Sequence, residues 1–343
     1  MGTASSPGVS GTPVVFAATV AHNPLNPLKT PHSTTALAHF PTMISPPMTA
    51  PIAFPLLEEV SQQMYPMSTL YVVATPIGNI GDISLRALHL LGLADAVACE
   101  DTRNTAQLMT RYGLSKTLIA AHQHNEREVA DKLIARLHAG ERIALVSDAG
   151  TPAISDPGAR IVEAVRAAGL RVLPLPGASA GIAALSASGL QDAQFYFVGF
   201  LPAKGKQRET VLGSLRGIAA TLVFYEAPHR IVDAVDALTA AFEPTRQIVF
   251  ARELTKLFEE IHRCDLAQAA AWVKADLHRE KGEYVVLLAG APAAIAADEV
   301  EADRVLRILL AECSVKQAAA LAAQLTGQKK NALYERALVI KAE

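Results

Sequence analysis

The stretch "RIALVSDAGTPAISDPGARIVEAVRAAG", residues 142–169, decides how the rest of the chain is read. An apolar run from Ile143 to Val146 enters a loop that holds Ser-Asp-x-Gly twice, at Ser147–Gly150 and Ser155–Gly158, each with a proline close by. From Ala159 the apolar residues recur at helical spacing. The pattern predicts a buried strand, a rigid loop and an amphipathic helix. Gly and Pro fix a tight path and let backbone amides approach a ligand closely. The alternative is an ordinary strand-to-helix connection in which Asp156 is the helix N-cap.

The same unit recurs on both sides. "LYVVAT" (70–75), "ADAVACE" (94–100), "TLIAAHQ" (117–123) and "RVLPLPG" (171–177) each precede a helical pattern. Five such repeats predict an α/β domain over 67–190, with a parallel sheet, helices on its faces and ligands beyond the carboxyl ends of its strands. After "GLQDAQ" (189–194) the strands "FYFVGFLP", "ATLVFYEAP", "RQIVFARE", "KLFEEIHRCD" and "EYVVLLAG" are less regularly spaced, with helices beginning near His229 and Asp265. They predict a second α/β domain over 195–290 with a mixed sheet. A cleft between two such domains is a natural small-molecule site. "APAAIAADEVEAD" (291–303) reads as a linker to a helical, helix-turn-helix-like module over 303–343, in which Ser314 caps a helix and Gly327 stops it. From Arg304 onward this module carries seven basic and three acidic residues, as nucleic-acid binding or a packing appendage would each allow.

Residues 1–66 differ in kind. They hold 11 of the 20 prolines and one basic residue, Lys29. The stretch reads as disordered or as the product of an early start codon, with Met67 just before the first strong strand. A transit peptide is the alternative, against which the scarcity of Arg and Lys counts. No apolar patch is long enough to span a bilayer, so no membrane partner is expected. The net charge of −2 advertises no nucleic-acid field, so any such partner must meet a local patch. Cys99, Cys264 and Cys313 lie far apart with no CxxC pair, which fits a reducing cytoplasm and argues against a zinc site.

The loops carry the candidate chemistry. "ATPIGNIGD" (74–82) lacks both the P-loop lysine and G-x-G-x-x-G, and Asp82 can cap the helix after it. "CEDTRNT" (99–105) puts Glu100 22 residues after Gly78, a spacing that would suit a ribose hydroxyl of a dinucleotide, while Asp101 can cap a helix and Arg103 can pair with Glu100 or Asp101. "AHQHNERE" (121–128) brings His122 and His124 to one strand end, with Asn125 as a helix cap; no third ligand follows at convincing spacing, so no metal is expected. "FYEAPHR" (224–230) gathers Glu226, His229 and Arg230, and "LPAKGKQRE" (201–209) concentrates Lys204, Lys206 and Arg208 where phosphate contacts are wanted.

Six motifs, "LYVVATPIGNIGDISLRAL", "EDTRNT", "SDAGTPAISDPG", "LPGASA", "GFLP" and "FYEAPHR", in this order and spacing, resemble the tetrapyrrole-methylase-like class of S-adenosylmethionine-dependent enzymes, in the branch that methylates small-subunit ribosomal RNA. The resemblance covers about residues 67–290, and "SVKQAAALAAQLTGQKKNALYERAL" is similar to that branch's C-terminal extension. It implies methyl transfer to the ribose 2′-oxygen of one cytidine in 16S rRNA near the decoding centre, S-adenosylmethionine as cofactor, the small ribosomal subunit as partner and a homodimer. It further implies that Pro76, Ile77, Gly78, Asp148, Gly150, Ile154, Ser179 and Ala180 line the cofactor. Lys204, Lys206 and Arg208 at the expected cleft mouth, and Lys329 and Lys330 opening the last helix after Gly327, are the expected RNA contacts. A ribose hydroxyl must lose its proton, and Asp101, His122, His124, Glu226 and His229 are the open choices for its acceptor. The rival readings are a tetrapyrrole-precursor methylase, a nicotinamide-dependent dehydrogenase and a non-catalytic RNA-binding protein.

Overall fold

The computed structural model describes residues 54–123 and 125–342. The first element is a short helix, α1 (Phe54–Ser61), packed on α2 (Leu85–Leu93). Val60 and Tyr65 are buried in the same apolar cluster as Tyr71, Leu90 and Leu91. Arg142 Nε donates to the Tyr65 carbonyl at 2.8 Å, and the Tyr71 hydroxyl donates to the Pro66 carbonyl at 2.8 Å. The boundary expected at residue 66 is therefore corrected for 54–66: the proline density hid an amphipathic turn whose apolar side joins the core. Residues 1–53 of that expected segment lie outside the described residues.

β1 (Thr69–Val73), β2 (Ala96–Cys99), β3 (Thr117–Ala120), β4 (Arg142–Val146) and β5 (Arg171–Leu175) form a parallel sheet in the order β3-β2-β4-β1-β5. Helices α3 (Thr102–Arg111), α4 (Glu126–His138) and α5 (Ala159–Ala167) join α2 as the crossovers. One face packs Val73, Val97 and Val146 against Leu90 and Met109, and the other packs Leu70, Ile143 and Leu145 against Leu133, Leu137 and Ile161. This is the alternation of strands buried on both faces.

α6 (Ala180–Ser188) follows β5 but packs on the second sheet, where Ala184 lies among Val223, Val249, Val285 and Leu287. The helix that sequence spacing groups with the first domain thus straps the two sheets together. The second sheet has the order β6-β7-β10-β8-β9, from β6 (Phe195–Phe200), β7 (Thr221–Glu226), β8 (Gln247–Arg252), β9 (Glu260–Asp265) and β10 (Tyr284–Leu288). β6 and β7 are parallel and the other pairs antiparallel, so the sheet is mixed as expected. Its other face is covered by α7 (Gly205–Ser214), α8 (Ile231–Ala241) and α9 (Leu266–Lys274) through Leu212, Val235, Leu238 and Val273.

The acidic linker expected at 291–303 is the first part of α10 (Ala293–Leu310); its alanines favour helix. α11 (Val315–Thr326) has a full capping box between Ser314 and Gln317 and ends at Gly327 in the left-handed region, φ +72°. α12 (Lys330–Ala342) closes a small core of Leu306, Ala319, Leu333 and Ala337, and Arg336 pairs with Asp303 of α10.

Burial of Val60 and Tyr65 stabilises by roughly 1.5–3 kcal/mol per side chain, and each hydrogen bond by about 1 kcal/mol. A chain begun at residue 67 is therefore expected to melt about 10 °C below one begun at residue 54, as read by differential scanning calorimetry. Equal melting temperatures would show that α1 adds nothing to the core.

Candidate active site

Two loops of the first sheet are tied by backbone. Thr75 N–H donates to the Gly150 carbonyl at 2.9 Å, Gly150 N–H donates back to Thr75 at 3.0 Å, and the Thr75 hydroxyl reaches the Ser147 carbonyl at 3.1 Å. Gly150 sits at φ +80°, a conformation that side chains resist. Ala153 and Ser155 also lie at positive φ, +67° and +65°, a conformation that non-glycine residues resist. Asp156 is not the helix cap: Gly158 holds that position, and its N–H is taken by the Glu126 carboxylate at 2.6 Å.

A cavity of about 350 Å³ opens over this loop, between it and the second sheet. Ile77, Asp148, Gly150, Ile154, Ser179 and Ala180, all expected, line it from the first-domain side and the start of α6. The opposite wall, which sequence reasoning missed, comes from Phe200, Tyr225, Ala251, Leu254 and Val285. The Tyr225 hydroxyl accepts from Gly181 N–H at 3.1 Å, and its ring meets Phe197 and Phe200 edge-on, which fixes the wall. These residues carry no turn or charge signature; strand-end position in the second sheet was the one signal that could have found them.

Of the remaining expected residues, Pro76 and Gly78 do not border the cavity. A Cβ at Gly78 would lie 2.5 Å from Lys256 Cγ, 2.7 Å from Thr255 Oγ1 and 3.0 Å from the Leu254 carbonyl, so this glycine serves close approach of the two domains. Asp148 borders the cavity while its oxygens accept from Asp101 N–H at 3.2 Å and Asn104 Nδ2 at 2.7 Å, tying "EDTRNT" to the loop. Asp82 sits in a short 3-10 turn, and Ser84 caps α2 instead.

Among the expected proton acceptors, Glu226 alone of the described residues lines the cavity. Burial pushes its carboxyl up, yet Arg230 pairs with it at 3.1 Å and Ala227 N–H donates to it at 3.0 Å. Asp101 caps α3 and pairs with Arg103 at 2.8 Å, which holds its carboxyl down at about 2. His122 lies exposed after β3, where Asn125, in the expected N-cap position of α4, turns its side chain back to accept from the His122 backbone N–H at 2.9 Å and makes no side-chain bond to the helix. His229 is exposed in the turn before α8, and His124 lies outside the described residues. Asp156, expected only as a helix cap, borders the cavity with its carboxyl pushed up by burial and by Asp148. Among the described residues no group of three His, Cys, Asp or Glu side chains is placed to hold a metal ion.

Lys204, Lys206, Lys329 and Lys330 are exposed and Arg208 is half-buried. None of them borders the cavity. Lys204, Lys206 and Arg208 open α7, whereas Lys329 and Lys330 open α12 in the C-terminal module.

Residues 69–270 match the family of tetrapyrrole (corrin/porphyrin) methylases, and residues 296–341 match the RsmI C-terminal HTH domain. The ribosomal RNA small subunit methyltransferase I of Escherichia coli O157:H7 is 48% identical over 78% of this chain and 94% of its own length. The protein of the same name from Pseudomonas aeruginosa is 50% identical, over 79% and 96%. Among solved structures, the methyltransferase CobJ superposes with a TM-score of 0.50 at 23% identity, covering 65% of this chain and 94% of that one, a likeness of fold.

The Gly78 contact yields a direct test. Gly78→Ala is expected to lower the melting temperature by about 2–10 °C, since overpacking costs roughly 1–3 kcal/mol and the Leu254 carbonyl is backbone that cannot swing aside. An unshifted melt would mean that the interdomain contact is loose.

Proposed function

The chain belongs to the tetrapyrrole methylase family, and from that premise we propose that it transfers a methyl group from S-adenosylmethionine to the ribose 2′-oxygen of a cytidine in 16S rRNA near the decoding centre. The name shared by its relatives supports the ribosomal substrate. The observation that carries the choice of donor is the charge of the cavity. Asp148, Asp156, Glu226 and Glu283 border it against one cation, Lys256, which is itself paired with Glu253 at 2.9 Å and Glu283 at 2.7 Å. Such a lining suits a ligand bearing a sulfonium and an ammonium, and opposes the pyrophosphate of a nicotinamide dinucleotide. Ile77, Ile154, Leu254 and Val285 supply apolar walls for its adenosine and methionine parts.

S-adenosylmethionine supplies an already activated methyl group, so the chain's work is orientation and proton removal. Asp156 is the acceptor that position favours: it borders both the main cavity and a second, polar one beside it, the place where a ribose hydroxyl meets the donor. Its carboxylate takes the 2′-hydroxyl proton as the methyl joins the oxygen. Glu226, held by Arg230 and Ala227, positions the opposite rim. Lys204, Lys206, Arg208, Lys329 and Lys330 hold RNA outside the acidic cavity, and the exposed Phe195 and Tyr196 on edge strand β6 offer a second copy a surface to cover in a homodimer. Among the described residues no helix is long and apolar enough to cross a membrane. A ribosomal substrate implies a cytoplasmic location.

The test uses small subunits from cells lacking the protein, incubated with labelled donor and mapped by mass. Wild-type protein is expected to label one ribose, and the absence of label overturns the reading. Asp156→Asn is expected to lower kcat about 100-fold or more, with a much smaller loss of donor affinity by calorimetry because one of the bordering carboxylates is neutralised. The wild-type rate falls as pH drops through the raised carboxyl pKa, because the ionised form accepts the proton, and the variant lacks that acid limb. The ionised carboxylate also costs stability above that pKa, so the variant should melt higher at neutral pH and lose the advantage in acid.

Replacing Lys329 and Lys330 by Glu is expected to weaken subunit binding and make its salt dependence shallower by about 1.4 to 1.8 in logarithmic slope, with donor affinity unchanged. Superimposable binding curves would place RNA capture at α7 instead.

A further inference from the structure

We propose that the second cavity, at the carboxyl ends of β2, β3 and β4, receives the base of the nucleotide being methylated and selects a pyrimidine that bears an exocyclic amine, through Glu100, Gln123 and Glu126. The proposal rests on the reading of the chain as a ribosomal RNA methyltransferase.

This cavity measures about 310 Å³ and is bordered by Glu100, Gln123, Glu126, Ser155, Asp156 and Arg160. That is about ten times the roughly 30 Å³ a water molecule occupies in the liquid, room for a planar base. Ser155 and Asp156 border both cavities, so one short loop segment separates them. A ribose seated against Asp156 has its base one glycosidic bond away, on the side of Glu100. Enzymes that work on a single nucleotide extrude it from its stack into such a pocket.

The lining has the polarity that an amino-bearing edge requires. The Glu126 side chain is only 7% exposed; one oxygen accepts from Gly158 N–H at 2.6 Å, and the other lies 3.9 Å from Arg160 Nε, beyond hydrogen-bond distance. That oxygen is ion-paired with Arg160 and retains capacity to accept a hydrogen bond. Glu100, directly after β2, has its carboxyl pushed up by burial and by Asp156, Asp148 and Asp101. A carboxylate oxygen there can accept from an exocyclic amine, the donor that sets the cytosine edge apart. Uracil would present a carbonyl oxygen to the same acceptors and be repelled. Gln123, exposed at the mouth, has an amide N–H for the remaining carbonyl, and Arg160, mostly exposed at the start of α5, can meet the phosphate.

The experiment compares full-length wild type, Glu100→Ala, Gln123→Ala and Glu100→Gln on small subunits whose methylated cytidine, located by mass mapping, is retained or replaced by uridine. Wild type should methylate the cytidine subunits alone. Glu100→Ala and Gln123→Ala should each raise KM for cytidine subunits about tenfold, and Glu100→Ala should also reduce the preference over uridine by a similar factor, with the S-adenosylmethionine dissociation constant unchanged by calorimetry. Glu100→Gln, whose amide can turn to donate to a carbonyl oxygen, should bind cytidine subunits better than Glu100→Ala yet still accept uridine. If both alanine variants keep wild-type KM and preference, the cavity is not the base pocket; Gln123 is exposed, so its variant decides the matter even if Glu100→Ala fails to fold. If wild type transfers no methyl group to either subunit, the functional reading falls and the pocket assignment with it.

Discussion

Two backbone hydrogen bonds between Thr75 and Gly150 are the constraint on which the site depends. They join the chain leaving β1 to the chain leaving β4, neighbours at the centre of the parallel sheet. Beyond that clamp the β4 loop makes two left-handed turns at residues that resist them, Ala153 and Ser155, a strain of about 1–3 kcal/mol apiece. The strain persists because both ends are held: Ala153 N–H reaches the Pro157 carbonyl at 3.3 Å, and Glu126 grips Gly158. Released, the loop would relax into an ordinary connection, and Ile154, Ser155 and Asp156 would no longer stand between two cavities.

The charges follow a division of labour. Carboxylates crowd the carboxyl ends of β2 and β4: burial and the charges of Asp156, Asp148 and Asp101 raise the cost of ionising Glu100, burial and Asp148 raise that of Asp156, and Arg103 holds Asp101 ionised. The cations proposed for RNA sit on helix starts that open to solvent. A lysine at a helix N-terminus opposes the macrodipole, a small penalty that a phosphate would reverse. An RNA backbone held by such cations stays clear of the acidic interior, and only a neutral nucleoside need enter it.

The α/β class and ten strands were legible because period and length separate buried strands from helices, and the motif loops fell where parallel strands end. What stayed hidden has physical reasons. Asp156 looked like a cap because Asp before Pro-Gly commonly is one, and nothing local announces that Glu126, thirty-two residues earlier, supplies the cap bond instead. Gly78 looked like a ligand glycine, but its crowding comes from residues 254–256 of another domain. α6 looked like part of the first domain since sequence spacing cannot say which sheet a helix covers. Tyr225, Leu254 and Val285 are ordinary strand residues until the fold sets them opposite the loop.

The seam between the domains is built from contacts too close for side chains. A Cβ at Gly78 would collide with Lys256 and Leu254, and one at Gly199, in the β6 bulge, would lie 2.9 Å from Ser155 Oγ. The first contact pins the β1 loop and the second pins the strained β4 loop, so both lips of the cleft are fixed against the second sheet before a ligand arrives. A preformed cleft loses little entropy on closing over its ligand. For a reaction whose methyl group is activated in advance, holding donor and acceptor in line is the largest contribution left for the protein, roughly 7–11 kcal/mol in favourable systems. A glycine seam that removes play between two rigid sheets serves that requirement more directly than another acid or base would.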